Sequence, residues 1–133
     1  MQTFLPYPDF AESAKCLDYR RLGKQRVEAK QLLNILLNRT AKSGWRNHPA
    51  CLMWKGFEPA LMLYFNIMRD EWIRRGYNNT MQPEAPGETI TMPPWMGLAT
   101  FHASHRSNLL RKDPIHYGKF GWTEPNNLEY YWP

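Results

Sequence analysis

The chain has 133 residues, 43% hydrophobic and 14% aromatic, with 17 Lys and Arg against 12 Asp and Glu, a net charge of +5 and a pI near 9.4. Such a composition excludes wholesale disorder, and no run approaches the roughly 18 apolar residues of a membrane span, so one buried core and a single helical domain over residues 1–133 are expected. The positive balance suits an acidic partner such as nucleic acid.

In chain order, MQTFLPYPD carries Pro6 and Pro8 and is expected to be extended, entering a helix at Asp9, with Glu12 completing a capping box. Helical spacing then runs to about Asn38, interrupted only by Gly23, whose missing Cβ permits close approach of another group. TAKSGWRNHP is a loop. Pro49 suits the first turn of a second helical region, which either Gly56 or Pro59 divides. Leu61, Phe65, Met68 and Trp72 give that region a buried stripe, and Arg74 and Arg75 before Gly76 end it. The proline-rich stretch to about Gly97 reads as an ordered surface excursion. A third helix covers Thr100 to Lys112 and ends near Asp113, ahead of Pro114. The aromatic tail HYGKFGWTEPNNLEYYWP has no helical or strand period. The fold class is therefore all-α: three main helices, long irregular connections and an aromatic C-terminal tail. Cys16 and Cys51 lack CxxC spacing and no secretory leader precedes them, which reads as reduced thiols in a cytoplasmic protein.

Three constellations carry chemistry. On the stripe Asp18, Leu22, Gln25, Ala29, Leu32, Leu36 the C-terminal half is apolar and the N-terminal half is not. Asp18, Arg21, Gln25 and Glu28 share one arc. Unpaired charge is costly to bury, so these groups either pair internally or line a cavity, with Arg20 and Lys24 adding positive charge at its mouth. In SGWRNHP, Trp45, Arg46, Asn47 and His48 offer a stacking plane, a phosphate donor, an amide and an imidazole; the alternative has Trp45 in the core and Asn47 and His48 capping the next helix. The run HASHRSNLLRKDPIHYGKFGW interleaves cations with rings, as a nucleic-acid groove requires. His102 and His105 stand at i and i+3, but no acidic or cysteine partner has ligand spacing, so no metal is expected. No GxGxxG, Walker, HExxH or GxSxG pattern occurs.

The order of DYRRLGKQR, GWRNHP, EWIRRGY and PIHYGKFGW resembles the pyrimidine-dimer DNA glycosylase family, the endonuclease V type of glycosylase and AP lyase, from about Gln2 to about Trp122. The resemblance implies a compact helical protein without metal or cofactor, whose N-terminal α-amine attacks C1′ of a damaged nucleotide while a helix-one glutamate assists. Tyr19, Arg20 and Leu22 match the family's Tyr-Arg-Glu-Leu segment, whereas Arg21 stands at the glutamate. The studied enzymes expose a processed threonine; here Met1 before the large Gln2 should be retained. Carried over, Met1 supplies the amine and Glu28, seven residues beyond Arg21 on the same face, is the candidate acid/base. Arg20, Lys24, Arg46 and Arg106 are the phosphate contacts, and Trp45 or Tyr117 stacks near the lesion. The expected partner is DNA or a nucleotide, with no membrane. An alternative is a non-catalytic nucleotide- or nucleic-acid-binding module using Arg21, Gln25 and Glu28. A third reading makes LEYYWP, with Tyr130, Tyr131 and Trp132, a contact for a partner or a homo-oligomer, unless it packs back on the core.

Overall fold

The computed structural model describes residues 2–41 and 44–133, and among these the regular structure is entirely helical. Helix α1 (Phe10–Cys16) is capped by Asp9, whose carboxylate accepts from the Glu12 amide at 2.8 Å. Helix α2 (Tyr19–Leu36) follows almost at once. The single helix expected from Asp9 to Asn38 is thus two, broken where Leu17 and Asp18 are extended. The physical reason lies far along the chain. The Asp18 amide donates to the Tyr117 hydroxyl at 3.1 Å, and that hydroxyl in turn donates to the Asp18 carboxylate. Leu17 is fully buried beside this break, and Arg75 caps the end of α1 by donating to the carbonyls of Ala14 and Lys15.

Helices α3 (Pro49–Trp54) and α4 (Glu58–Arg74) are separated at Gly56, whose φ of +88° favours glycine, while Pro59 sits harmlessly in the first turn of α4. Leu61, Phe65 and Met68 of α4 are fully buried, each such side chain stabilising the fold by about 1.5–3 kcal/mol before entropy is counted. Gly23 explains how closely α2 and α4 pack: a Cβ there would lie 2.9 Å from Cζ3 of Trp72. The excursion after α4 is irregular but anchored. Asn66 bonds both backbone groups of Glu84, and the Glu84 carboxylate takes Lys30 and a bidentate Arg39.

Helix α5 (Ala99–Lys112) ends before Pro114, and Asp113 caps the short helix α6 (Pro114–Tyr117), which a 3-10 turn (Gly118–Phe120) extends. The tail then runs back along α5. The amides of Leu128 and Tyr131 donate to Ser107 and Ser104, and the Tyr130 ring stacks on His105 at 4.5 Å. Packing, the option left open for LEYYWP, is what these contacts show.

The most consequential feature is the N-terminal segment. Thr3, Phe4 and Leu5 are buried outside any helix, and among the described residues no strand satisfies their backbone. Side chains do so instead. The Phe4 amide donates to Gln25 Oε1 at 3.0 Å and to Tyr64 Oη at 3.1 Å. The Leu5 amide donates to His105 Nδ1 at 2.7 Å, and the Leu5 carbonyl lies 2.7 Å from His102 Nδ1. Tyr130 and Arg106 donate to the carbonyls of Thr3 and Pro6. Groups from α2, α4, α5 and the tail thereby hold one segment against the start of α2.

Candidate functional site: a basic cleft at the start of the long helix

Where the N-terminal segment meets the first turns of α2, a cleft of about 740 Å³ opens, lined by Gln2, Phe4, Asp18 just before α2, the α2 residues Tyr19, Arg20, Arg21, Lys24, Gln25 and Glu28, and Lys112, Asp113 and His116 from the α5–α6 junction. The volume is in the range of a small-molecule or nucleotide pocket. Helix α2 begins after the break at Leu17 and Asp18, and its first turns line the cleft.

The cleft charges have distinct environments. Burial opposes the charge on Asp18, yet the Tyr117 hydroxyl and the Arg21 guanidinium, 3.3 Å away, outweigh it and hold the carboxyl below its ordinary range. Lys112 is pushed down by loss of solvation and by the like charges of Arg21, Arg111 and Lys24, with Glu28 acting in the opposite sense. Arg20 donates from Nε to the Tyr19 hydroxyl at 3.0 Å. Lys24 is exposed and forms no ion pair among the described residues, so its charge faces solvent at the rim. Glu28 is half-buried, and the Gln2 amide approaches its Oε2 at 3.4 Å.

Of the residues singled out in the sequence, Arg20, Arg21, Lys24, Gln25 and Glu28 converge here. Gln25 is almost fully buried, and its amide is committed to the N-terminal backbone: Oε1 accepts from Phe4 and from Tyr64, and Nε2 donates to the Gln2 carbonyl at 3.0 Å. Met1 lies outside the described residues, as do Lys42 and Ser43. Trp45, Arg46, Asn47 and His48 do not line the cleft. Trp45, Arg46 and Asn47 are exposed, and His48 caps α3 by accepting from the Ala50 amide at 3.0 Å, its pKa lowered by burial. Trp45 sits against His48, which in turn meets Trp132. Arg106 points to another region and is paired with Glu124 at 2.9 Å. Tyr117 is fully buried and stacked on Trp122 at 5.6 Å, so it supports Asp18 from beneath the cleft.

His102 and His105 serve the backbone. The Leu5 carbonyl can only accept, so His102 Nδ1 donates to it, and Nε2 accepts from the Gly97 amide at 2.9 Å. His105 Nδ1 accepts, which places the proton on Nε2, a buried atom with no hydrogen-bond partner among the described residues. Among the described residues no three His, Cys, Asp or Glu side chains are grouped to hold a metal, and both cysteines are free and buried, burial pushing Cys16 up to about 12. The cleft also uses Gln2 and Phe4, which the sequence did not single out, Tyr19, noted there only as a match to the family segment, and Lys112, Asp113 and His116, noted only within the run suited to a nucleic-acid groove. Lys112 and His116 come to it from about 90 residues away in sequence, and no local spacing reports such a meeting.

A small helical scaffold here carries a cleft in which the cations Arg20, Arg21, Lys24 and Lys112 stand beside the carboxylates Asp18, Glu28 and Asp113, and the N-terminal segment reaches Glu28, an arrangement with room for an anionic ligand. The family model for pyrimidine dimer DNA glycosylase matches residues 1–84, and the chain belongs to that family, which is one of DNA repair glycosylases with DNA as substrate. The matched region contains the N-terminal segment, α1 to α4 and the α2 wall of the cleft; the α5–α6 wall lies beyond it. Neither the comparison with curated proteins nor that with solved structures gave a match. Among the described residues no helix is long and apolar enough to cross a membrane.

Proposed function

We propose that this chain is a DNA glycosylase with AP-lyase activity on damaged pyrimidines, and that its reaction takes place in the cleft at the start of α2. The observation that carries the reading is the 3.4 Å approach of the Gln2 amide to Glu28 Oε2, which brings the segment next to Met1 to a carboxylate two helical turns beyond Arg21. This arrangement suits a site displaced along α2, with Glu28 replacing the acid that Arg21 supplants.

The α-amine of Met1 is the nucleophile; such an amine has a pKa of about 8, leaving a neutral fraction at physiological pH. It attacks C1′ and displaces the damaged base, which departs with the electrons of the glycosidic bond and takes up a proton; the C1′–O4′ bond then opens, O4′ receives a proton given up by the amine, and an imine to C1′ remains. Glu28 moves the proton between the sugar ring and the amine. Loss of a C2′ proton then breaks the C3′–O bond by β-elimination, and water hydrolyses the imine. Arg20, Arg21, Lys24 and Lys112 hold the flanking phosphates.

Borohydride trapping on an abasic-site duplex tests this: a covalent adduct that maps to the N-terminal peptide is expected, and Glu28→Gln should lower trapping by more than 100-fold, on the usual scale of general acid/base catalysis. Absence of any adduct with the wild-type protein counts against the lyase.

Arg21 favours a second reading, a nucleotide-binding module, because a cation at this position suits a phosphate better than a departing base. Calorimetric binding of a mononucleotide, without trapping or cleavage of damaged DNA, is the result that reading requires.

A further inference from the structure

Of the aromatic side chains that line the cleft, Phe4 is buried, His116 is half-buried and Tyr19 is exposed. It is the first residue of α2, lines the cleft and is 50% exposed. Behind it runs a ladder of rings. Tyr19 stacks on Tyr77 at 6.2 Å with planes 29° apart, Tyr77 stacks on Trp72 at 4.4 Å and 28°, and the Arg26 guanidinium lies 4.8 Å from the centre of the Trp72 ring. The ladder is fixed at its base. Gly23 lets Trp72 lie against α2, Trp72 Nε1 donates to the Asn78 carbonyl at 2.7 Å, and Arg26 donates to Asn79 Oδ1 at 2.7 Å. At the outer end, Arg20 Nε donates to the Tyr19 hydroxyl, which sets a guanidinium beside the ring.

We infer that Tyr19 is a stacking platform for one unpaired nucleobase of DNA bound in the cleft. The inference rests on the DNA-directed reading of the site. Three observations meet here: a half-exposed ring lining the cleft, a backing of stacked rings behind it, and the cations Arg20, Lys24 and Lys112 on the same cleft, none of them in an ion pair among the described residues. Charge complementarity therefore selects a nucleic-acid strand over an apolar partner, and stacking selects a base that has left the helix, since both faces of a base inside a duplex are covered by its stacked neighbours. Tyr77 acts through Tyr19 as a positioning residue.

The test is fluorescence anisotropy with two labelled duplexes, one fully paired and one carrying a single bulged 2-aminopurine, whose emission also reports stacking. Wild-type protein should bind the bulged duplex more tightly and quench the 2-aminopurine. Tyr19→Ala should reduce that preference roughly tenfold and abolish the quenching, while Tyr19→Phe keeps both. Tyr77→Ala should weaken the preference less than Tyr19→Ala does. Lys24→Ala should weaken both duplexes alike, leaving their ratio unchanged. Wild-type binding with no preference for the bulge, or a Tyr19→Ala protein that retains the preference and the quenching, overturns the platform while leaving the DNA reading intact. Failure of the wild-type protein to bind either duplex overturns the DNA reading and the platform together.

Discussion

Two basic, aromatic stretches in this chain look alike in sequence and differ in the structure: of the one along α5 and beyond it only Lys112, Asp113 and His116 reach the cleft, whereas the first turns of α2 line it. Along α5 and the residues after it, Arg106 is paired with Glu124 and bonded to the Pro6 carbonyl, His102 and His105 hold Leu5, and Tyr117 is buried against Asp18. Along the first turns of α2, Tyr19, Arg20 and Lys24 are exposed at a cleft. What separates them is the neighbour each side chain meets. A cation with an acid and a carbonyl within reach becomes part of the scaffold; one facing an open cleft remains available to a ligand.

The largest expected effect in breaking this contrast is at His105. His105→Ala removes a fully buried ring and leaves the Leu5 amide without its acceptor, at a cost of about 3 kcal/mol measured by urea denaturation. The same pair predicts a pH response. Burial lowers the pKa of His102 and lowers that of His105 well below 6.5, so the unfolded chain binds more protons than the folded one once pH falls below that value. Their stabilisation is therefore fully present above pH 6.5 and is lost on acidification from there down through the folded pKa values. Glu71, Glu84 and Glu124, held low by their arginine partners against the effect of burial, add a further loss as pH falls below 4.5. Melting temperature should be flat from pH 8 to 7 and decline in these two windows; a flat profile down to pH 5 removes the neutral-histidine assignment.

Arg106→Ala should cost about 2 kcal/mol, because it strands a half-buried carboxylate and a buried carbonyl, and should leave the salt dependence of DNA binding unchanged. Lys24→Ala should do the reverse, with an unaltered urea midpoint and a salt-dependence slope reduced by about 0.9, one phosphate contact's worth. If Arg106→Ala changes the slope and Lys24→Ala does not, the two stretches have been assigned the wrong way round. The smallest effect is at Gly23, where Gly23→Ala gains helix propensity of about 1 kcal/mol but drives a Cβ into the fixed Trp72 ring, for a small net loss of stability.

Much of the helical layout was legible because helical spacing and punctuation are local. The stripe of Leu61, Phe65 and Met68, the stop at Gly76 and the end of α5 before Pro114 all follow from residues a few positions apart. The broken stripe of α2 was legible as an anomaly, and its polar half does face a cleft. The reason for Gln25 was not legible: it is buried against backbone, and only a folded chain brings the Phe4 amide and the Gln2 carbonyl to it. Likewise the division of helix one at Leu17 and Asp18 depends on Tyr117, 99 residues from Asp18.

The sequence by itself therefore determined an all-helical chain, a positive charge suited to DNA and a polar face on its longest helix, since these depend on composition and short-range period. Only the tertiary structure decided which basic and aromatic groups stay open. That choice is made by partners such as Glu124, Leu5 and Asp18, which arrive from distant parts of the chain and which no local pattern announces.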